Sequence, residues 1–194
     1  SIEEGTHGSP YDVLGMRPAE GMPGMVVRTF QPYAHAVTVV DKKSGALFPA
    51  EKLGPQGFYE VYLPNHQAFE YRLRMTGYEG HTWELEDPYS FPLQISDFDL
   101  YLFGEGTNYK TYEKMGAHIR DVNGVRGVHF AVWAPNAIRV SVIGEFNHWD
   151  GRHLPMQQRG GSGIWELFIP ALCPGDLYKF EVKGRHGFLG QKAD

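Results

Sequence analysis

The sequence has 194 residues, of which 14% are aromatic, with 24 glycines, 13 prolines and a formal net charge of -5. That charge excludes a nucleic-acid surface, which needs clustered lysine and arginine, and no apolar run approaches the roughly 20 residues that cross a bilayer. The single cysteine, Cys173, excludes an internal disulfide and is typical of a reducing cytosol, so we expect a cytoplasmic protein that inserts into no membrane.

The first half of the chain contains three strand-like segments that return in the second half. The pairs are 26–40 with 129–143, 57–64 with 163–170, and 71–77 with 178–184. The offset grows from 103 to 107 residues, which places a few extra residues in the loops of the second copy, where insertion is tolerated. We interpret the chain as a duplicated domain.

Each copy shows the alternation of a β-strand. In "VHFAVWAP", Phe130 and Val132 fall on one face and Trp133 on the other, and we assign both Trp133 and Trp165 to packing. Strands of this kind, separated by turns and without helices long enough for crossovers, predict an all-β fold. We expect two tandem immunoglobulin-like β-sandwich domains joined by a short, partly helical connector.

The segment between the copies predicts a short helix. Ser96 can cap it, with Asp99 three residues on, and Gly104 supplies a stop. We therefore expect a first sandwich over 1–95, a packed connector over 96–127 and a second sandwich over 128–194.

The repeat also bears on where the chain stops. Asp87 opens the motif "DPYSF", and its equivalent in the second copy is Asp194, the last residue. We expect that the second sandwich is truncated and that the chain is a fragment of a longer protein.

Catalytic and metal-binding patterns are missing from the sequence. The nine histidines lack metal-ligand spacing, and there is no nucleophile elbow or phosphate-binding loop. The carboxylates of "ELEDP" are interpreted as a solvated strand end. We therefore expect no catalytic residue, no metal and no cofactor.

The turn "GEFNHWDG" combines a large aromatic with polar residues. Sugars present apolar faces ringed by hydroxyls, so a sugar site needs an exposed aromatic ring together with amides or a cation. Trp149 could supply the ring, Asn147 the amide, Lys179 the cation and Phe188 a second aromatic wall. The alternatives are that Trp149 anchors the loop, that Lys179 is an ordinary solvated strand residue and that Phe188 closes the sandwich end.

These segments resemble a known family. "GVHFAVWAPNAIRVSVIGEFNHWDGRHLPM", "GIWELFIP" and "LYKFEV" are similar to carbohydrate-binding module family 48. Together with "SPYDVLGMRP", "DPYSF" and "FGEGTNYKTYEKMGAH", the whole chain resembles the N-terminal half of bacterial 1,4-α-glucan (glycogen) branching enzymes. The resemblance implies an N1 domain followed by the module, with a catalytic barrel and a C-terminal β-domain beyond this chain.

The resemblance also implies a function. The parent protein would be a glycosyltransferase of glycogen biosynthesis that transfers α-1,4-glucan chains to 6-hydroxyls by retaining transglycosylation. The fragment itself would be inactive, would bind glycogen or linear α-1,4-glucan, would influence the transferred chain length and would pack against the barrel. In the family pattern the glucan site uses the positions of Trp149 and Lys179 and an aromatic near Phe188, although the turn before Phe188 is longer here and the family has Trp there. A noncatalytic glycogen-binding scaffold and purely architectural sandwiches remain as alternatives.

Overall fold

The structure, a computed structural model, describes residues 7–106 and 110–194. It divides into two compact units, of which the first is Tyr11–Ser90 and the second combines residues 7–10 with Phe91–Asp194. We call these units the first and the second domain. No helix among the described residues is long and apolar enough to span a membrane.

The first domain is built from two antiparallel sheets. Its strands are β1 (Gly15–Pro18), β2 (Met25–Phe30), β3 (Ala36–Asp41), β4 (Leu47–Pro49), β5 (Glu51–Leu53), β6 (Phe58–Leu63), β7 (Tyr71–Thr76) and β8 (Thr82–Leu85). One sheet has the order β1-β2-β6-β5 and the other β4-β3-β7-β8. Short 3-10 helices lie at Pro10–Asp12 and Pro88–Ser90.

The core of the first domain lies between its two sheets. Val27 and Tyr59 enter it from one sheet, and Val37 and Leu73 enter it from the other, all four fully buried. Alternation along each strand produces this result, because successive side chains point to opposite faces. Burying a large apolar side chain contributes about 1.5–3 kcal/mol.

The second domain repeats this plan after a short helix. Its elements are α1 (Asp97–Gly104), β9 (Gly116–Val122), β10 (Val125–Trp133), β11 (Ala137–Gly144), β12 (Gln157–Gln158), β13 (Ile164–Pro170), β14 (Tyr178–Gly184) and β15 (Leu189–Lys192). One sheet has the order β12-β13-β10-β9 and the other β11-β14-β15. Short 3-10 helices lie at Thr111–Glu113, Glu145–Asn147 and Arg185–Gly187.

Aromatic rings fill the space between these two sheets. The Phe130 ring contacts Tyr178 and Phe180 of the opposite sheet at centroid distances of 4.8 and 6.1 Å. Trp165 is fully buried, and its Nε1 donates to the carbonyl of Ala134 at 3.0 Å, which confirms its packing role. The predicted all-β fold with two sandwich domains is confirmed.

The segment before and within α1 is anchored to the second domain. The Ser96 hydroxyl accepts from the Asp99 N–H at 3.1 Å, which confirms the predicted cap. Just upstream, the Gln94 and Ile95 N–H groups donate to the buried carboxylate of Glu166 at 2.6 and 3.2 Å. The segment 96–127 also contributes β9, which pairs with β10. The division at residues 95 and 127 stays a prediction.

Candidate functional site

The turn after β11 is held together by one buried amide. The Asn147 side chain is fully buried, accepts from the Gly144 N–H at 2.9 Å and donates to the carbonyls of Val142 at 2.9 Å and Asp150 at 3.4 Å. Burial on this scale requires that an amide be hydrogen-bonded internally. The structure shows that the Asn147 amide holds the turn, and contact between this amide and a sugar stays a prediction.

Two consecutive residues of this turn have left-handed backbone conformations. His148 has φ 56° and Trp149 has φ 57°, and the Trp149 N–H donates to the Gly144 carbonyl at 2.9 Å. A non-glycine residue in this region costs roughly 1–2 kcal/mol. The Trp149 side chain nevertheless remains 39% exposed, so the turn holds a large ring partly in solvent.

The chain beyond Trp149 folds back over the outer face of the β11–β14 pair. The Ser141 hydroxyl donates to the Gly151 carbonyl, and Arg139 forms an ion pair with Glu181 beneath the loop. A Cβ at Gly151 would lie 1.8 Å from the Glu181 carboxylate, so only glycine permits this close approach. The loop is therefore fixed to this face.

A half-buried histidine, His153, lies in the same loop. Burial lowers the pKa of His153 to about 4, with His148 acting in the same direction and Asp150 opposing it. His153 is consequently neutral near pH 7, and the loop contains an imidazole that is unfavourable to protonate in the folded state.

Lys179 lies at the same end of the sheet as the Trp149 turn. Its Cα partner across the strands is Ile143, next to Gly144, the residue that accepts the Trp149 hydrogen bond. Lys179 is exposed and shares a strand face with Glu181, two residues on, which the loop covers. The register thus places Lys179 on the strand next to the start of the Trp149 turn.

Phe188 is placed elsewhere. A Cβ built at Gly190 would lie 2.8 Å from the Phe188 ring, and Gly190 is the Cα partner of Val182. Val182 points to the opposite face of β14 from Lys179, since the two differ by an odd number of residues. The structure therefore separates Phe188 from the surface that contains Lys179.

The packing role expected for Trp133 is wrong. The sequence pattern assigned it to packing, but it ends β10 and its side chain is 57% exposed. Residues on both faces of β10 are buried from Gly127 to Ala131, and the exposure rises only at the end of the strand, where Trp133 lies. Sequence reasoning thus missed an exposed aromatic.

The part of the chain that the structure describes offers no metal centre. Residues 7–106 and 110–194 contain no group of three or more His, Cys, Asp or Glu side chains that could hold a metal ion. The exposed ring and the cation at one end of the second domain form the candidate site.

Family comparisons agree with this two-part organisation. Residues 1–89 match the model of the alpha-1,4-glucan branching enzyme GlgB N-terminal domain. Residues 114–194 match the model of carbohydrate-binding module 48, the isoamylase N-terminal domain. The candidate site lies within the second match.

Curated relatives carry one consistent name. The chain is 49% identical over 187 residues to the 1,4-alpha-glucan branching enzyme GlgB of Cereibacter sphaeroides, covering 96% of this chain and 25% of the relative. It is 47% identical over 195 residues to the enzymes of the same name from Paramagnetospirillum magneticum and Rubrobacter xylanophilus, in each case covering 100% of this chain and 26% of the relative. The chain thus spans about a quarter of the length of these relatives. The two parts of the chain thus correspond, in order, to the N-terminal domain of the alpha-1,4-glucan branching enzyme GlgB family and to a carbohydrate-binding module 48.

Proposed function

We propose that the second domain binds linear α-1,4-glucan at the surface formed by Trp149 and Lys179. We further propose that it does so as part of an enzyme that transfers α-1,4-glucan chains to 6-hydroxyls in glycogen. The names of the relatives support the second statement. The geometry of the Trp149 turn supports the first.

The observation that carries the proposal is the partly exposed Trp149 ring on a strained turn. Backbone strain persists only where the surroundings impose it, and it concentrates at binding sites. Stacking a glucosyl face on an indole removes several tens of Å² of apolar area from water, which corresponds to about 1–2 kcal/mol. The strain and the stacking energy are of similar size, so a ligand can offset the cost of the turn.

Lys179 can add hydrogen bonds to the sugar hydroxyls, which would orient the glucosyl unit on the Trp149 ring. Its ammonium group has three donors and an exposed position, and neutral hydroxyls can accept from it. Asn147 acts indirectly, because its amide is hydrogen-bonded to Gly144 and Asp150 on either side of Trp149 and so positions the turn. We therefore assign contact with glucan to Trp149 and Lys179, and positioning of the turn to Asn147.

The chemistry of chain transfer would lie outside this chain. Retaining transfer between sugars uses a carboxylate nucleophile and a carboxylic acid that also acts as base. We assign neither role to a described residue. The contribution of this region would be to hold glucan, and thereby to influence the length of chain that the longer protein transfers.

Affinity electrophoresis in glycogen tests the binding surface. Trp149→Gly is the most informative variant, because glycine accepts φ 57° and the turn survives without the ring. We expect glycogen to retard the wild type. The dissociation constant for glycogen should be roughly tenfold larger in Trp149→Gly, and Trp149→Phe should recover part of the lost affinity. Tyr101→Ala, which removes an exposed aromatic of α1, is the matched control and should migrate like the wild type.

The cation is tested in the same gel. Lys179→Gln should be retarded less than the wild type, while Lys43→Gln, an exposed lysine of the first domain, should not differ from it. If the wild type shows no retardation, the sandwiches are architectural and the Trp149 surface contacts other parts of the longer protein. In that longer protein, Trp149→Gly should also shift the distribution of branch lengths.

A further inference from the structure

The two copies of the domain differ at one position that closes the end of the sandwich. In the first domain Trp83 is the Cα partner of Met75 and packs against the core. In the second domain the equivalent pair is Gly190 with Val182, each 107 residues further along the chain. An aromatic plug in one copy is therefore replaced by a residue without a side chain in the other.

A pocket lies beside this position, where the Phe188 ring lies close to Gly190. Its volume is about 580 Å³, within the roughly 300–1,000 Å³ of small-molecule sites. Val182 and Phe180 contribute apolar lining, and the walls carry the rings of Trp133 and Phe188, which is 60% exposed. The counterpart of Trp133 in the first domain is Phe30, which is only 2% exposed. The first domain thus shows that the fold itself does not require an open end.

The Trp133 ring lies against the backbone at Gly163. A Cβ at Gly163 would lie 2.8 Å from Trp133 Nε1, and Gly163 has φ 79°, which suits glycine. The Gly163 carbonyl accepts from the Ala134 N–H at 2.8 Å, which holds this backbone against the end of β10. An exposed ring that is positioned in this way loses little conformational entropy on binding.

The polar residues of the pocket indicate a neutral ligand. Asn136 offers an amide, and Lys192 and Asp194 contribute one charge of each sign. Opposite charges beside two exposed rings suit a polyhydroxyl compound, because its hydroxyls can both donate and accept and its C–H faces can stack. A charged ligand would meet repulsion from one of the two groups.

We propose that this pocket is a second α-glucan site, separate from the Trp149 surface. The choice of glucan as ligand rests on the proposed function, whereas the existence of the site rests on the pocket and on its closed counterpart. Since Phe188 and Lys179 lie on opposite faces of β14, one glucosyl unit cannot contact both, and the second domain would hold glucan at two places.

The indole N–H resonances of the full chain distinguish the two sites. In 1H–15N spectra with increasing amounts of a linear malto-oligosaccharide, the Trp133 and Trp149 signals, each assigned by its Trp→Phe variant, should both shift. Gly190→Trp should displace the Phe188 ring from the pocket wall and abolish the Trp133 shift while leaving the Trp149 shift intact. Gly104→Trp is the matched control, since a side chain there meets nothing within 4 Å, and both shifts should persist.

Each site has its own negative outcome. A Trp133 signal that stays fixed while the Trp149 signal shifts overturns the second site and leaves the proposed function standing. A Trp133 shift without a Trp149 shift supports the pocket and contradicts the Trp149 surface. Because Gly190→Trp could disturb β15, Phe188→Ala provides a second variant. In Phe188→Ala the dissociation constant measured from the Trp133 shift should be about tenfold larger. An unchanged Trp133 response in both variants would also overturn the proposal.

Discussion

The hydroxyl of Tyr178 donates a 2.7 Å hydrogen bond to the carboxylate of Asp194. The first domain has the same pair 107 residues earlier, where Tyr71 donates to Asp87 at 2.6 Å. The duplication has thus preserved a side-chain hydrogen bond as well as the strands. The two bonds differ in environment, because the Tyr71 pair is buried and Asp194 is exposed.

This difference predicts unequal effects of removing the hydroxyls. Tyr71→Phe leaves a buried carboxylate without one of its donors and should cost about 1–3 kcal/mol, whereas Tyr178→Phe should cost less. Burial raises the pKa of Asp87 to about 6, and the bonds from Tyr71 and from the Tyr89 N–H oppose this rise. Tyr71→Phe should therefore raise the pKa of Asp87 further. Urea denaturation and NMR titration of the Asp87 carboxyl carbon measure the two effects, and equal costs in both domains would contradict this account.

The buried amide of the Trp149 turn makes a second prediction. Asn147→Ala removes the hydrogen bonds to Gly144, Val142 and Asp150, and should cost about 1–3 kcal/mol because buried groups lose their partners. The variant should also be retarded less by glycogen, because the Trp149 turn loses its support although Asn147 itself does not contact the sugar. Amide hydrogen exchange checks the mechanism, since protection at Gly144 should fall. Unaltered exchange together with lost binding would show that Asn147 contacts glucan directly.

His153 predicts a dependence of stability on pH. Its pKa is about 4 in the folded protein against an ordinary value of 6.5 for a solvated histidine, so the unfolded chain binds the proton first as the pH falls. The free energy of unfolding should accordingly decrease between pH 6.5 and 4, by about 3 kcal/mol in full at ~1.4 kcal/mol per pKa unit. The measurement is the difference between the wild type and His153→Gln in urea denaturation across this range. A constant difference would contradict the prediction.

The carboxylate of Glu166 predicts a local effect. It is buried, pairs with Arg159, and lies 3.2 Å from His129 Nε2. Burial raises the pKa of Glu166, but the bonds from His129 and the Gln94 N–H outweigh it and the pKa is lowered, so the group is ionised. Glu166→Ala should therefore cost about 3–5 kcal/mol, because it removes the buried partner of Arg159 and leaves only the exposed Asp97 carboxylate to pair with that charge.

Hydrogen exchange locates the loss. The Gln94 and Ile95 N–H groups donate to Glu166, so their protection should fall more than that of the core strands in Glu166→Ala. Glu84→Ala is a suitable control, because its bond to Arg74 lies at the surface of the first domain. A uniform loss of protection throughout the second domain would indicate general destabilisation instead.

The fold could be predicted because the strand pattern depends on a few neighbouring residues and because the same pattern occurs twice in the chain. The alternation around Phe130 and the cap at Ser96 are properties of a few neighbouring residues. The face occupied by Phe188 depends instead on how the Arg185–Gly187 turn redirects the chain, which residue types alone do not encode. The burial of Asn147 likewise depends on the path of the loop after it. The signal for the open pocket was present, however, since the repeat aligns Trp83 with Gly190.

The left-handed conformations of His148 and Trp149 have a consequence for protein engineering. Glycine at either position would relieve strain, and at position 149 it would also remove the ring proposed to hold glucan. A library selected only for heat resistance should therefore enrich glycine at both positions and lose retention by glycogen at the same time. Selection that alternates between heating and capture on glycogen should keep the tryptophan and place its stabilising changes elsewhere.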